Sequence, residues 1–212
     1  MIVLESQVED SLLRAQVNRL TRNTVYSILD GLKHYDFETY LHSMRAGLHG
    51  AYIAQHFRSR SQTPLVACLT HDAGKLGVPL DVLQRKGKYT SEDRAAMNQH
   101  PEITYNLLSG AMEFTAQVGL FHHQFQSNPY PIFLPKLAIQ FSKPFQDKIV
   151  KLSNLVSIVD VYDRITHPTY SGVPAIRDSS EIKKLFLNER PKQALLASSL
   201  IDAGVLRPRF SI

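Results

Sequence analysis

Between residues 7 and 32 the apolar side chains Leu12, Leu13, Val17, Leu20, Val25, Ile28, Leu29 and Leu32 recur mainly at steps of three and four. An α-helix brings that spacing to one face, so the stretch predicts an amphipathic helix, ended by Gly31 and the polar residues 34–36. The same rhythm predicts helices over 37–58 and 63–75. The second carries Pro64 in its first turn, where a missing N–H has no partner to lose. Gly77 and Pro79 then break the chain. Ser91, followed by Glu92 and Asp93, reads as a helix start, and Pro101 opens the next helix. An apolar stretch covers 111–121, and a loop rich in Pro, Asn and Ser covers 124–135. The longest helical pattern runs over 147–165, followed by a Pro/Gly turn region at 167–174 and shorter helices over 180–187 and 191–203. No strand pair and no internal repeat emerge, which predicts an all-α fold, a helical bundle. Residues 1–35 read as an N-terminal amphipathic helix and 36–212 as the main domain. The leading helix suits either a dimerisation arm joining two copies or a packed first helix.

Size and composition narrow the class. At 212 residues and 43% hydrophobic, the chain can bury a core without covalent help, and 20% charged residues argue against extended disorder. The single cysteine, Cys68, sits in the apolar run 64–69, has no disulfide partner and reads as core packing. The first residues lack a basic region followed by an apolar block, and no stretch approaches the roughly 18 apolar residues needed to span a bilayer. These features predict a cytoplasmic chain with no membrane span. The net charge of +5 is scattered along the chain rather than gathered in a stripe, so DNA is not expected as a partner. An anionic phosphoester remains compatible with it.

Nine histidines are present, and His42, His71, His100, His122 and His123 stand in telling places. His71 and Asp72 end an apolar helix, where a buried carboxylate is costly unless paired or metal-bound. Glu38, His42 and Arg45 share one helix face, so one metal could reach both Glu38 and His42; a solvated polar stripe has the same spacing. His122 and His123 are adjacent and point about 100° apart on a helix, as surface pairs also do. Asp160 lies in the apolar run 155–162, where it would bind a metal or pair with a buried Arg or Lys.

In order, the strings His42-x-x-Arg45, His71-Asp72-Ala73-Gly74-Lys75, His100-Pro101, His122-His123 and Val159-Asp160-Val161-Tyr162-Asp163 resemble the HD-GYP subgroup of HD-domain metal-dependent phosphohydrolases. The similarity spans residues 36–170. The resemblance implies one metal held by His42, His71, Asp72 and Asp160, with Asp72 bridging to a second held by His100, His122 and His123. Glu38 matches the extra acidic position of members that hold three metals. Imidazoles and carboxylates without thiolate suit two or three iron or manganese ions better than a structural zinc. Such ions assist phosphodiester cleavage, with Asp72 in the catalytic set and Lys75 placed on the substrate phosphate. The alternative for Lys75 is an ordinary helix C-terminal lysine.

Two departures concern substrate recognition. The loop after the paired histidines reads Gln124-Phe125-Gln126-Ser127-Asn128-Pro129-Tyr130-Pro131, without two expected acids. It keeps Tyr130-Pro131 as a substrate contact but has Pro129 for glycine, which forces a different backbone path. Nine residues after Asp160, where catalytic members carry an arginine that grips phosphate, stands Thr169. Three functions follow from the resemblance. The first is a phosphodiesterase of cyclic di-GMP or a related cyclic dinucleotide. The second is a metal-bound, weakly active or inactive binding or signalling module. The third is a phosphohydrolase of another nucleotide.

Overall fold

Gly47 and Gly50 lie on the helix that organises the fold, and their missing side chains let a second helix come very close. A Cβ on Gly50 would sit 2.4 Å from the Pro64 carbonyl oxygen. The two helices are α3 (Phe37–His56) and α4 (Thr63–Thr70) in a computed structural model that describes residues 2–59, 61–167 and 174–207. Before them come α1 (Ile2–Arg14) and α2 (Arg19–Tyr35). After them come a 3₁₀ turn (Ala73–Gly77), α5 (Leu80–Leu83), α6 (Ser91–Met97), α7 (His100–Leu108), α8 (Glu113–Phe121), α9 (Lys143–Thr166), α10 (Ser179–Glu189) and α11 (Pro191–Asp202). The regular elements of the described residues are all helical, as expected. None of these helices is long and apolar enough to cross a membrane.

Several boundaries differ from the sequence reading for identifiable reasons. The helix expected over 7–32 is two helices. Gln16 takes a left-handed backbone (φ 53), and the Asn18 side chain accepts from the Thr21 N–H to start α2. Leu4, Val8 and Leu12 of α1 pack with Val25, Ile28, Leu29 and Leu32 of α2 against Tyr40, Leu41, Met44 and Leu48 of α3. The leading segment therefore buries its apolar face on its own chain, while Leu13 and Leu20 remain outside at 50% and 69% exposed. The helix expected over 63–75 stops at Thr70, and the chain passes through His71 and Asp72 into the 3₁₀ turn. The cap of α6 is Thr90 rather than Ser91, in a reciprocal capping box with Asp93. Helix α9 starts before residue 147, with Pro144 in its first turn.

Two large apolar clusters result, beside a small one of Val78, Val82 and Leu83. One joins α1–α4 with α7 and α8; the other joins α9, α10 and α11 to the remaining faces of α3 and α4, and includes the buried, unpaired Cys68. Helices α3 and α4 contribute to both. Their polar residues His42, Arg45, His71 and Asp72 are buried as deeply as the leucines around them.

Candidate metal centre

Helix α3 presents His42, α9 presents Asp160, and the end of α4 supplies His71 and Asp72. One ligand atom from each lies within 4.8 Å of the others. A second group, His100 from the start of α7 with His122 and His123 from the end of α8, meets the same criterion. All seven are buried. His122 and His123, directly after α8, are both buried, which removes the surface-pair alternative.

Asp72 stands between the groups. Its Oδ2 lies 3.5 Å from both His42 Nε2 and His71 Nε2, and its Oδ1 lies 3.2 Å from His100 Nε2 and 3.9 Å from His122 Nε2. Asp160 Oδ1 is 3.4 Å from His42 Nε2. The outer nitrogens are engaged elsewhere. His71 Nδ1 faces the Cys68 carbonyl at 2.9 Å, His100 Nδ1 that of Met97 at 2.7 Å, and His122 Nδ1 that of Gly119 at 2.5 Å. A carbonyl only accepts, so each of these Nδ1 atoms carries the proton, and each neutral ring points an Nε2 lone pair into the site. Nε2 atoms approach one another at 3.3 Å (His42 and His71), 3.4 Å (His100 and His122) and 3.2 Å (His100 and His123). Acceptors crowded in this way call for a cation between them. The donor set, imidazole nitrogen and carboxylate oxygen, fits a divalent metal.

The electrostatics agree. Burial, with neighbouring His71 and His100, pushes His122 down to about 3, and burial lowers His71 and His123 too. For His42 burial is outweighed by the Asp160 and Asp163 carboxylates, and its basicity rises. Burial alone would favour neutral Asp72, Asp160 and Asp163. Lys75 beside Asp72, Arg164 beside Asp160, and His167, His42 and Arg45 around Asp163 reverse that and hold all three well below the usual carboxylate range.

Two residues were given no role by the sequence reading. Asp163, fully buried, accepts from His42 Nδ1 at 2.8 Å and takes a bidentate pair from Arg45, Nε at 2.8 Å and Nη2 at 2.9 Å. The Arg45 and His42 side chains are thus interior, and the solvated-stripe reading is wrong for them. The signal was present: Asp163 follows Asp160 by three residues in an apolar helix, so both carboxylates face one side. The other residue is Gly74. A Cβ there would lie 1.9 Å from the His100 carbonyl oxygen and 2.5 Å from the Thr104 nitrogen. Its bare backbone N–H donates to Thr104 Oγ1 (2.8 Å), which donates to the His71 carbonyl (3.0 Å), so α7 and His100 are held against the His71-Asp72 turn.

The remaining expected residues are placed as follows. Lys75 is not on a continued helix but on the 3₁₀ turn, with Nζ 2.6 Å from Asp72 Oδ2. Tyr130 stacks on His123 with ring centroids 4.3 Å apart. Glu38 is only partly buried and joins neither group. Thr169 lies outside the described residues. His167, outside the expected ligand set, pairs with Asp163 at 3.2 Å.

With the site assembled, comparison with known proteins decides the family. The HD domain profile matches residues 39–166, more than half of the chain and all seven clustered residues. The chain belongs to the HD domain family. It is 35% identical over 105 residues to the cyclic di-GMP phosphodiesterase response regulator RpfG of Xanthomonas campestris, covering 47% of this chain and 25% of that protein. It is 29% identical over 197 residues to a cyclic di-GMP phosphodiesterase of Vibrio cholerae (80% and 38%) and 31% identical over 128 residues to one of Thermotoga maritima (56% and 34%). This HD domain chain thus spans 25–38% of the length of these relatives.

Proposed function

We propose that this HD domain is a metal-dependent phosphodiesterase of cyclic dinucleotides, with cyclic di-GMP as the first candidate substrate. The observation that carries the reading is the position of Asp72, one oxygen toward each histidine group. His42, His71, Asp72 and Asp160 would hold one divalent ion, and His100, His122 and His123 a second that shares Asp72. With no thiolate among the ligands, iron or manganese suits the set. Such an ion pair, when bound, supplies Lewis acidity toward phosphoryl oxygens and lowers the pKa of water. The chain's own residues do the rest. Burial keeps His71, His122 and His123 neutral and available as ligands near pH 7, and Asp163 fixes the ring of His42. The Lys75 ammonium, 12% exposed beside Asp72, is within reach of an anionic substrate at the site.

A second reading, a metal-bound module that binds a cyclic dinucleotide but turns it over poorly, is favoured by Pro129 and by the neutral loop residues Gln124 and Gln126. Incubating the chain, loaded without oxygen with Fe(II) or Mn(II), with cyclic di-GMP and separating the products by chromatography decides between them. Linear dinucleotide supports the enzyme. Bound but uncleaved cyclic di-GMP supports the module, and cleavage of mononucleotides alone moves the assignment to another phosphohydrolase.

A further inference from the structure

Beside the metal centre lies a groove of about 890 Å³, a volume suited to a small nucleotide ligand. Tyr130, which stacks on His123, forms part of its wall, so groove and centre share a boundary. Among the described residues, three guanidinium groups line it, those of Arg94, Arg164 and Arg190, against the single carboxylate of Glu189. Arg164 lies one turn after Asp160 on α9. It holds Asp160 through Nε (3.2 Å) and Nη2 (3.4 Å), yet half of its side chain, 51%, faces solvent. Arg190 donates from Nη2 to Gln126 Oε1 at 3.2 Å, while its Nη1 is buried with no hydrogen-bond partner among the described residues. A buried N–H of a cation without an acceptor is costly and marks a place where an anion would be welcome. Among the described residues the hydrogen-bond partner of Arg190 is a neutral amide, so its charge stays available to a ligand. Position 169, where the resemblance expects a phosphate-gripping arginine, is a threonine; Arg164 stands five residues earlier.

We propose that Arg164 and Arg190 form a phosphate clamp in this groove, holding the phosphate of a cyclic dinucleotide that is not at the metal centre, an assignment that rests on the cyclic dinucleotide reading above. A cyclic dinucleotide carries two phosphodiesters, and with one at Asp72 the other requires a cationic seat. The guanidinium fork matches phosphate oxygens bidentately, whereas a threonine hydroxyl does not. Arg164 also carries Asp160, so Arg190 is the cleaner position to perturb.

The test compares the full chain, Mn(II)-loaded, with its Arg190→Gln and Arg190→Lys variants on two substrates. These are cyclic di-GMP and bis(p-nitrophenyl) phosphate, which has one phosphate and nothing for the clamp to hold. Arg190→Gln is expected to raise KM for cyclic di-GMP, or Kd where wild type binds without turnover, by about tenfold to a hundredfold, with kcat changed by less than about twofold. Arg190→Lys should fall between it and wild type, and bis(p-nitrophenyl) phosphate cleavage and metal content should stay at the wild-type level. Unchanged affinity for cyclic di-GMP in Arg190→Gln overturns the clamp while leaving the phosphodiesterase reading intact. Parallel loss on both substrates also overturns it, since Arg190 would then act on the metal centre or the fold. Wild-type chain that cleaves bis(p-nitrophenyl) phosphate but neither binds nor cleaves cyclic di-GMP overturns the dinucleotide reading and the clamp together.

Discussion

Replacing Asp163 by alanine removes two hydrogen bonds from Arg45, whose residue is 1% exposed, one from His42 Nδ1, and the 3.2 Å contact with His167 Nδ1. Water cannot reach Arg45 to compensate. Breaking a buried ion pair from one side costs about 3–5 kcal/mol, a large part of the roughly 5–15 kcal/mol that stabilises a typical domain. Urea unfolding of the metal-free chain should show a loss of that order. A double variant, Arg45→Met with Asp163→Leu, should recover much of it, because no uncompensated charge is left behind. Metal affinity should not recover. His42 would still lack the acceptor that fixes its ring, and losing such a partner lowers affinity by about 10–100-fold, read by calorimetric Mn(II) titration. A stability loss under about 1 kcal/mol in Asp163→Ala, or wild-type Mn(II) affinity in the double variant, would refute the reasoning.

Two further outcomes follow from the same geometry. Gly74→Ala should destabilise the chain by at least about 1–3 kcal/mol and weaken metal binding, since the new Cβ meets backbone atoms of α7 and pushes His100 away; wild-type unfolding and Mn(II) titration curves would contradict this. The metal-free chain should lose stability as pH falls from about 6.5 toward 3. Below its ordinary pKa an unfolded histidine binds a proton that buried His71, His122 and His123 refuse, and these three outweigh His42, whose shift is opposite in sign. Equal urea midpoints at pH 5 and pH 7.5 would contradict that balance.

The helical class and most helix positions were legible because apolar spacing alone reports them. The break at Gln16 and Asn18 was not, since the periodicity of α1 and α2 continues across it and only a polar residue in a left-handed conformation interrupts it. The stop at Thr70 was hidden for a different reason. Ala73, Gly74 and Lys75 prolong a helical pattern, while the 3₁₀ turn is imposed by Gly74 packing on α7. The residues that cluster at the candidate metal centre were visible through carboxylates in apolar runs and through the order of the motifs. Asp163 escaped because its partners, Arg45 and His42, are 118 and 121 residues away in the chain. Arg190 escaped because an arginine opening a helix near the C-terminus looks like any surface arginine until the groove beside Tyr130 is in view.

If two adjoining metal sites share Asp72, metal content depends on that one carboxylate. The chain and its Asp72→Ala variant are purified without oxygen, supplemented with Fe(II) or Mn(II), freed of loose ions and measured by elemental analysis. Wild type is expected to hold two ions per chain, one for each candidate ligand group, and Asp72→Ala to lose metal from both groups. Less than about half an equivalent in wild type, or an Asp72→Ala variant that keeps the wild-type content, would contradict it.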